Sequence, residues 1–497
     1  MIDIAALGEA FSVVFSSWYL LGWIVAGLVV GLVFGAIPGL SSPIGMAVFL
    51  PLTIFIDLLP ALLFLTSIFT GAGYASAIPA VLFNVPGTPS AIATCFDGYP
   101  MTRQGRHNYA LGLSLGASCF ASALAYILLL FLIEPLGRVV LMLGPIEMLA
   151  IVLWAMTLIA ALSGKAVNRG LAAGALGLML GTIGMSADGQ IRGTLGTPFL
   201  LDGVPILPTL VGLFVSLELF SLLGKDYVVE SREARRVKLG EIFRGVRETP
   251  RYLSQLLRGS LFGAGIGALP GVGSAVANLV SYNNARSRSH EPETYGRGNP
   301  AGLVAAESAN NSSEGGSMTT LLALGIPGGA GTAVLLGALA SQGVVGGPRL
   351  MAQERELIYQ LIVGNLLEVI ILVGLGVGFC FVASAALKIP ARYLVPSIVV
   401  LACLGSYASA GNMSGPIAFA LATVAGWAMN KYGFSVIALA VGLLLGRLAE
   451  GNLLRTYQLS GGDPLFLTGR PIAMGILAVM VATLIWGPIQ RRRRQNR

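Results

Sequence analysis

GLVVGLVFGAIPG, residues 27–39, recurs 232 positions later as GSLFGAGIGALPG, residues 259–271. Gly27, Gly31, Gly35 and Gly39 in the first stretch, and Gly259, Gly263, Gly267 and Gly271 in the second, keep one four-residue spacing. Each stretch closes on Pro-Gly. Glycine at every fourth position lines one helix face with hydrogen, so another helix can approach its backbone closely. The closing Pro-Gly ends that helix at a defined point, because proline lacks a donor and glycine accepts unusual dihedrals. A ladder and a break written twice are what a twofold pseudosymmetric membrane carrier requires.

Composition sets the class. The 497 residues are 55% hydrophobic and 11% charged, with a mean hydropathy of +0.80. Soluble chains carry about 25% charged residues, so this one cannot cover itself with a water-facing shell. Apolar runs such as 18–40, 111–133, 358–387 and 472–486 approach or exceed the roughly 20 residues that cross a bilayer as helix. The 66 glycines and 25 prolines, without a collagen period, point to close helix packing and to interrupted helices. The expected fold is an all-α polytopic membrane protein with roughly 11–13 hydrophobic segments, some too short for simple spans. The first ten residues hold Asp3 and Glu9 but no Lys or Arg, so no cleavable signal peptide is read there. Four isolated cysteines, Cys95, Cys119, Cys380 and Cys403, read as buried thiols.

The net charge of +8 is concentrated. Residues 225–258 hold nine basic side chains and the tail five more, 14 of the 31 in total. That asymmetry marks cytoplasmic segments facing anionic lipid rather than nucleic acid. The charged linker divides the chain into an N-terminal membrane repeat (1–224), the linker (225–255), a C-terminal membrane repeat (256–450) and a final helix with basic tail (451–497). Similarity between the halves continues in order. Gly87, in Asn84-Val-Pro-Gly-Thr-Pro-Ser90, lies 48 residues after Gly39, and Gly328, in Gly325-Ile-Pro-Gly-Gly-Ala-Gly-Thr332, lies 57 after Gly271. Ser163-Gly164 matches Ser414-Gly415, and Val211-Gly212-Leu213 matches Val441-Gly442-Leu443. An acidic N-terminus outside and a basic linker inside require an odd number of crossings between them. The halves are therefore expected in inverted topology, with the N-terminus periplasmic and the tail cytoplasmic.

Four Pro-Gly breaks, at 38–39, 86–87, 270–271 and 327–328, carry small polar neighbours. A bare backbone at membrane depth must line a protein-walled or wet cavity. Gly39, Ser41, Ser42, Asn84, Gly87, Thr88 and Ser90 form one expected wall of a binding site, and Gly271, Ser274, Asn310, Asn311, Gly328 and Thr332 the other. Glu307 and Glu314 bracket a polar run, where they either hold a cation, Na+ or H+, or belong to a loop whose Ser312 or Ser313 caps the next helix. Asp97 reads as a solvated loop residue, and Glu147, Glu218 and Glu368 as residues at helix ends. No enzyme constellation is present: the two histidines form no metal pair or triad, and there is no Walker motif. The same breaks would also serve an ion channel, and more remotely an intramembrane enzyme.

At these residues the chain resembles the large membrane subunit of the tripartite tricarboxylate transporter family. The resemblance is carried by Gly35 to Pro43, by 71–98 with its Asn-Val-Pro-Gly-Thr-Pro, by Ala268-Leu-Pro-Gly271, and by the Ala305 to Asn311 run leading into Gly325-Ile-Pro-Gly328. It implies a bacterial inner-membrane secondary carrier that works with a small membrane subunit and a periplasmic solute-binding protein. It further implies inward movement of carboxylates, citrate among them, with a cation gradient and no resident cofactor.

Overall fold

The computed structural model describes residues 3–37, 40–162, 167–186, 189–222, 237–270, 273–386, 391–461 and 463–495. Pro38, Gly39, Ser163, Gly164, Gly271 and linker residues 225–236 lie outside them. Ahead of the linker come α1 (Ile4–Ser16), α2 (Trp18–Ala36), α3 (Ser42–Phe49), α4 (Leu58–Ala75), α5 (Ala77–Phe83), α6 (Ile92–Arg103), α7 (His107–Leu141), α8 (Pro145–Leu162), α9 (Val167–Gly181) and α10 (Ile206–Leu222). The linker itself contributes α11 (Leu239–Glu248). After it come α12 (Leu253–Gly267), α13 (Gly273–Ser287), α14 (Pro300–Leu324), α15 (Ala330–Ser341), α16 (Pro348–Gln353), α17 (Arg355–Ala386), α18 (Ala391–Ala410), α19 (Ser414–Lys431), α20 (Val436–Ser460) and α21 (Pro471–Gln495).

Local chemistry sets the helix ends. Asp3, Ser17, Asn299 and Ser435 cap α1, α2, α14 and α20 by accepting first-turn backbone N–H groups. Asn84 and Gly325, both left-handed, terminate α5 and α14. Among the described residues, five helices are long and apolar enough to cross a membrane: Trp18–Ala36, Leu58–Phe83, His107–Val139, Arg355–Val382 and Val436–Ser460. Seven shorter apolar helices join them. The chain is a multi-pass, all-α membrane protein.

The glycine ladders pack as their spacing requires, and both pack alike. A Cβ on Gly31 would stand 2.9 Å from Ile68 Cα, and one on Gly35 2.6 Å from Ala72 Cα, so α2 lies backbone to backbone on α4. On α12, Gly263 would meet Ala309 Cα at 2.8 Å and Gly267 would meet Ser313 Cα at 2.7 Å, both on α14. Each partner in the second half lies 241 positions after its counterpart in the first. The breaks obey the same offset. Gly87 sits against the Gly35 carbonyl and Ser76, and Gly328 against the Gly267 carbonyl and Ser317. The left-handed Asn84 and Gly325 are matched as well.

The second matched pair of motifs ties the halves together. Gly212 of α10 lies against α19, 2.8 Å from Ala422 Cβ if it bore a side chain. Gly442 of α20 lies against α9, similarly 2.9 Å from the Leu178 nitrogen. Each half thus sends its late helix onto the other. The long helices α7 and α17 run antiparallel. Arg355 and Tyr359, at the start of α17, donate to Glu134 near the end of α7, whereas Leu115 near the start of α7 packs on Gly376 near the end of α17. Asp3 joins the Arg355 end, while α11 packs on the start of α7 through Gly112 and Gly245.

Candidate functional site

The two described breaks each lie against the opposite half. The segment after Pro86-Gly87 packs on α13 and α14, where Asn278 Oδ1 accepts from the Ala93 N–H at 3.0 Å. The segment after Pro327-Gly328 starts α15, which packs on α3 and α4, with Gly331 against the Phe69 ring. The expected site residues are divided between these two places. Thr88 and Ser90 are half-buried and share a 2.7 Å hydroxyl contact, and Asn84 is exposed. Ser41 and Ser42 begin α3, and Ser274 begins α13. Gly87 and Gly328 are buried packing points. Thr332 is fully buried and accepts from the Gly329 N–H, holding the first turn of α15. Gly39 and Gly271 lie outside the described residues.

Glu307 and Glu314 do not belong to a loop. Both lie inside the unbroken α14, with Ser312 and Ser313 bonded back to the carbonyls of Ser308 and Asn310 rather than capping a helix. Glu307, Asn311 and Glu314 stand at i, i+4 and i+7, on one stripe. The Glu307 carboxylate accepts from Thr94 of α6 and, at 3.4 Å, from Ser118 of α7. Asn311 Nδ2 donates to the same Ser118 at 2.6 Å, while its Oδ1 is buried without a partner beside Gly73. Asn310 donates to the Gly73 carbonyl at 3.2 Å, pinning α14 to α4. Glu314 Oε1 accepts from Thr70 at 2.7 Å and from Tyr126 at 2.8 Å.

A further carboxyl faces this stripe. Glu368 is fully buried in the middle of α17, not at a helix end, and its Oε2 accepts from Ser67 of α4 at 3.0 Å. One turn earlier, Asn365 Oδ1 accepts from Thr66 at 2.7 Å. The hydroxyls of Thr66, Ser67 and Thr70 therefore make one polar edge on α4, shared by α14 and α17. Sequence reasoning missed Glu368, Asn365 and this edge. The available signal was an ionisable residue and an amide three apart within an apolar span, a pattern that marks function by default.

With this geometry in hand, the comparisons with known proteins are decisive. The description of the tripartite tricarboxylate transporter TctA family matches residues 21–441. The chain belongs to that family. It is similar, at 32% identity over 93% of its length and 92% of the relative's, to an Agrobacterium vitis protein described as an uncharacterized 52.8 kDa protein in the TAR-I ttuC' 3' region. A second Agrobacterium vitis protein, from the TAR-II ttuC' 3' region, is 33% identical over 45% of this chain and 92% of its own length. No solved structure matches. As a TctA-family chain it is a membrane component of a tricarboxylate transporter, which implies partner subunits.

A further expectation for this TctA-family chain needs correction. Asp97 is not solvated. It lies in α6, fully buried, and its Oδ1 accepts N–H groups of Gly296, Gly298 and Asn299 at 2.8, 2.9 and 2.8 Å. Those three donors replace water around the carboxylate and fasten the α13–α14 connection of the second half to the first. A cavity of about 560 Å³ opens beside Gly325, with Arg349, Arg447 and Arg455 in its lining. Among the described residues, no group of three or more His, Cys, Asp or Glu could hold a metal ion.

Proposed function

We propose that this chain is the permease subunit of a binding-protein-dependent system, a secondary-active, cation-coupled importer of small carboxylates such as citrate or another di- or tricarboxylate. It would sit in the bacterial inner membrane with a periplasmic N-terminus and a cytoplasmic tail. It would work with a small membrane subunit and a periplasmic solute-binding protein.

The observation that carries this reading is the doubled ladder and break, repeated contact for contact, with the ladder offset by 232 positions and its partners and breaks by 241. The long helices α7 and α17, one from each half, run antiparallel, which supports inverted repeats, the design of carriers that alternate access around a fixed site. The substrate would meet residues of both halves, with Thr88, Ser90, Ser274, Asn310 and Asn311 on one side and Ser41, Ser42, Gly328 and Thr332 on the other. Exposed helix ends and hydroxyls at the breaks would donate to carboxylate oxygens. Arginines in the cavity beside Gly325 would raise the local concentration of an anion before it enters. Buried Lys or Arg are not needed to neutralise three charges if a cation travels with the substrate.

The test is uptake by proteoliposomes holding the chain and its partner subunits, with the cognate binding protein added. Saturable, counterflow-competent carboxylate uptake supports the carrier reading, and non-saturable flux without counterflow would replace it with a channel. Thr88→Ala and Asn310→Ala should each lower uptake about 2–10-fold, the worth of one hydrogen bond, at unchanged surface expression.

A further inference from the structure

Glu314 and Glu368 come from different helices, and their hydroxyl donors, Thr70 and Ser67, stand one turn apart on α4. Residues spaced in this way have Cβ atoms about 5–6 Å apart, so the two carboxyls occupy one small volume. Glu368 is fully buried, Glu314 nearly so, and Glu368 Oε1 has no hydrogen-bond partner. Beside it one amide end of Asn365, also fully buried, is unpartnered. The groups facing the pair are Thr66, Ser67 and Thr70 from α4, Tyr126 from α7 and Asn365 from α17 itself. Other titratable groups of this region are Tyr74 of α4 and Cys380 of α17, which bond each other, and the buried Cys119 of α7 beside Tyr74. No lysine, arginine or histidine among the described residues bonds either carboxyl.

Two uncompensated negative charges this close in an apolar interior are strongly unfavourable, so a cation must be present. A metal ion fits poorly. Sodium or a divalent ion needs several oxygens with free lone pairs, and here α4, α14 and α17 are unbroken, so their carbonyls are occupied within the helices. A proton needs only the free Glu368 oxygen and a nearby acceptor. We infer that Glu314 and Glu368 hold one proton between them, and that this proton is the cation moved with the carboxylate. Its site lies where α4 of the first half meets α14 and α17 of the second, so relative motion of the halves would carry the pair onto or off the Ser67 and Thr70 hydroxyls and change its hold on the proton. Glu307, bonded by Thr94 and Ser118 on the far side of Asn311, is outside this pair.

This inference rests on the carrier reading, and the experiment separates the two. Proteoliposomes with the chain and its partners are given carboxylate under a pH gradient or a sodium gradient, with an internal pH dye. The expected result is accumulation and internal acidification under the pH gradient alone. Glu368→Gln should lose accumulation at least tenfold while retaining counterflow exchange. Accumulation driven by sodium alone, without proton entry, overturns the proton assignment and leaves the carrier intact; absence of carboxylate flux under every gradient overturns both. Infrared difference spectroscopy of the purified protein gives a readout that does not depend on transport. A protonated-carboxyl band at neutral pH, lost in both Glu314→Gln and Glu368→Gln, supports the pair, and its absence from the unmodified protein overturns it.

Discussion

Adding a single methyl group to the ladder tests whether backbone contact holds α2 on α4 and, in the second half, α12 on α14. In Gly35→Ala the new carbon would lie 2.6 Å from Ala72 Cα, against an ordinary carbon contact of about 3.5–4.0 Å. Backbone stands on both sides, so no rotamer change relieves it and α2 must retreat by roughly 1 Å. Overpacking of this kind costs about 1–3 kcal/mol. The retreat also lifts the Gly35 carbonyl from Gly87, loosening the adjoining break. Gly22 provides the control within the same helix, because nothing lies within 4 Å of a Cβ there. Gly22→Ala should gain up to about 1 kcal/mol from helix propensity alone. The propensity gain is common to both positions, so the two variants should differ by the overpacking cost, about 1–3 kcal/mol. The second half supplies the replicate: Gly267→Ala should behave like Gly35→Ala, and the open Gly265→Ala like Gly22→Ala. Reversible unfolding in detergent, followed by circular dichroism, measures all four. Equal stability of Gly35→Ala and Gly22→Ala, or opposite behaviour of the matched pair, would refute the reasoning.

Two further outcomes follow from polar contacts. Asp97→Asn weakens three charge-assisted bonds to the α13–α14 connection and should lower stability by about 2–3 kcal/mol, with faster amide exchange at Gly296 and Gly298; unchanged exchange would contradict the role given to Asp97. The Glu248 carboxyl is held below the usual carboxylate range by the Tyr109 hydroxyl and by Arg244. Its contribution to docking α11 is complete above the ordinary glutamate pKa of about 4.3 and is lost as pH falls through the lowered value. Hydrogen exchange in α11 should therefore rise only in acid, and Glu248→Gln should remove that acid dependence.

The fold was legible where local sequence carries global meaning. Glycine at four-residue spacing serves close packing, and the matched motifs kept their order, so the ladders and the breaks at 86–87 and 327–328 could be placed in advance, whereas the motifs around Gly212 and Gly442 gave no hint that each crosses to the other half. Asp97 and Glu368 could not. Their burial depends on donors far along the chain, 199 to 202 positions away for Asp97 and 301 for Glu368, and nothing in the flanking residues announces those donors. The run from Glu307 to Glu314 was misleading for a similar reason. Eight mostly polar residues resemble a loop until α4, α6 and α7 supply hydroxyls and apolar cover that make them the centre of a helix.

The central claim is that the halves are inverted copies, and matched surface positions test it. Gln104 follows α6 and Val345 precedes α16, 241 positions apart, and both are exposed. In a chain whose four cysteines are replaced, Gln104→Cys and Val345→Cys are labelled in intact cells with a membrane-impermeant thiol reagent. Labelling of Val345→Cys from outside, with Gln104→Cys reached only after the membrane is opened, is the predicted result. Labelling of both from the same side would contradict it.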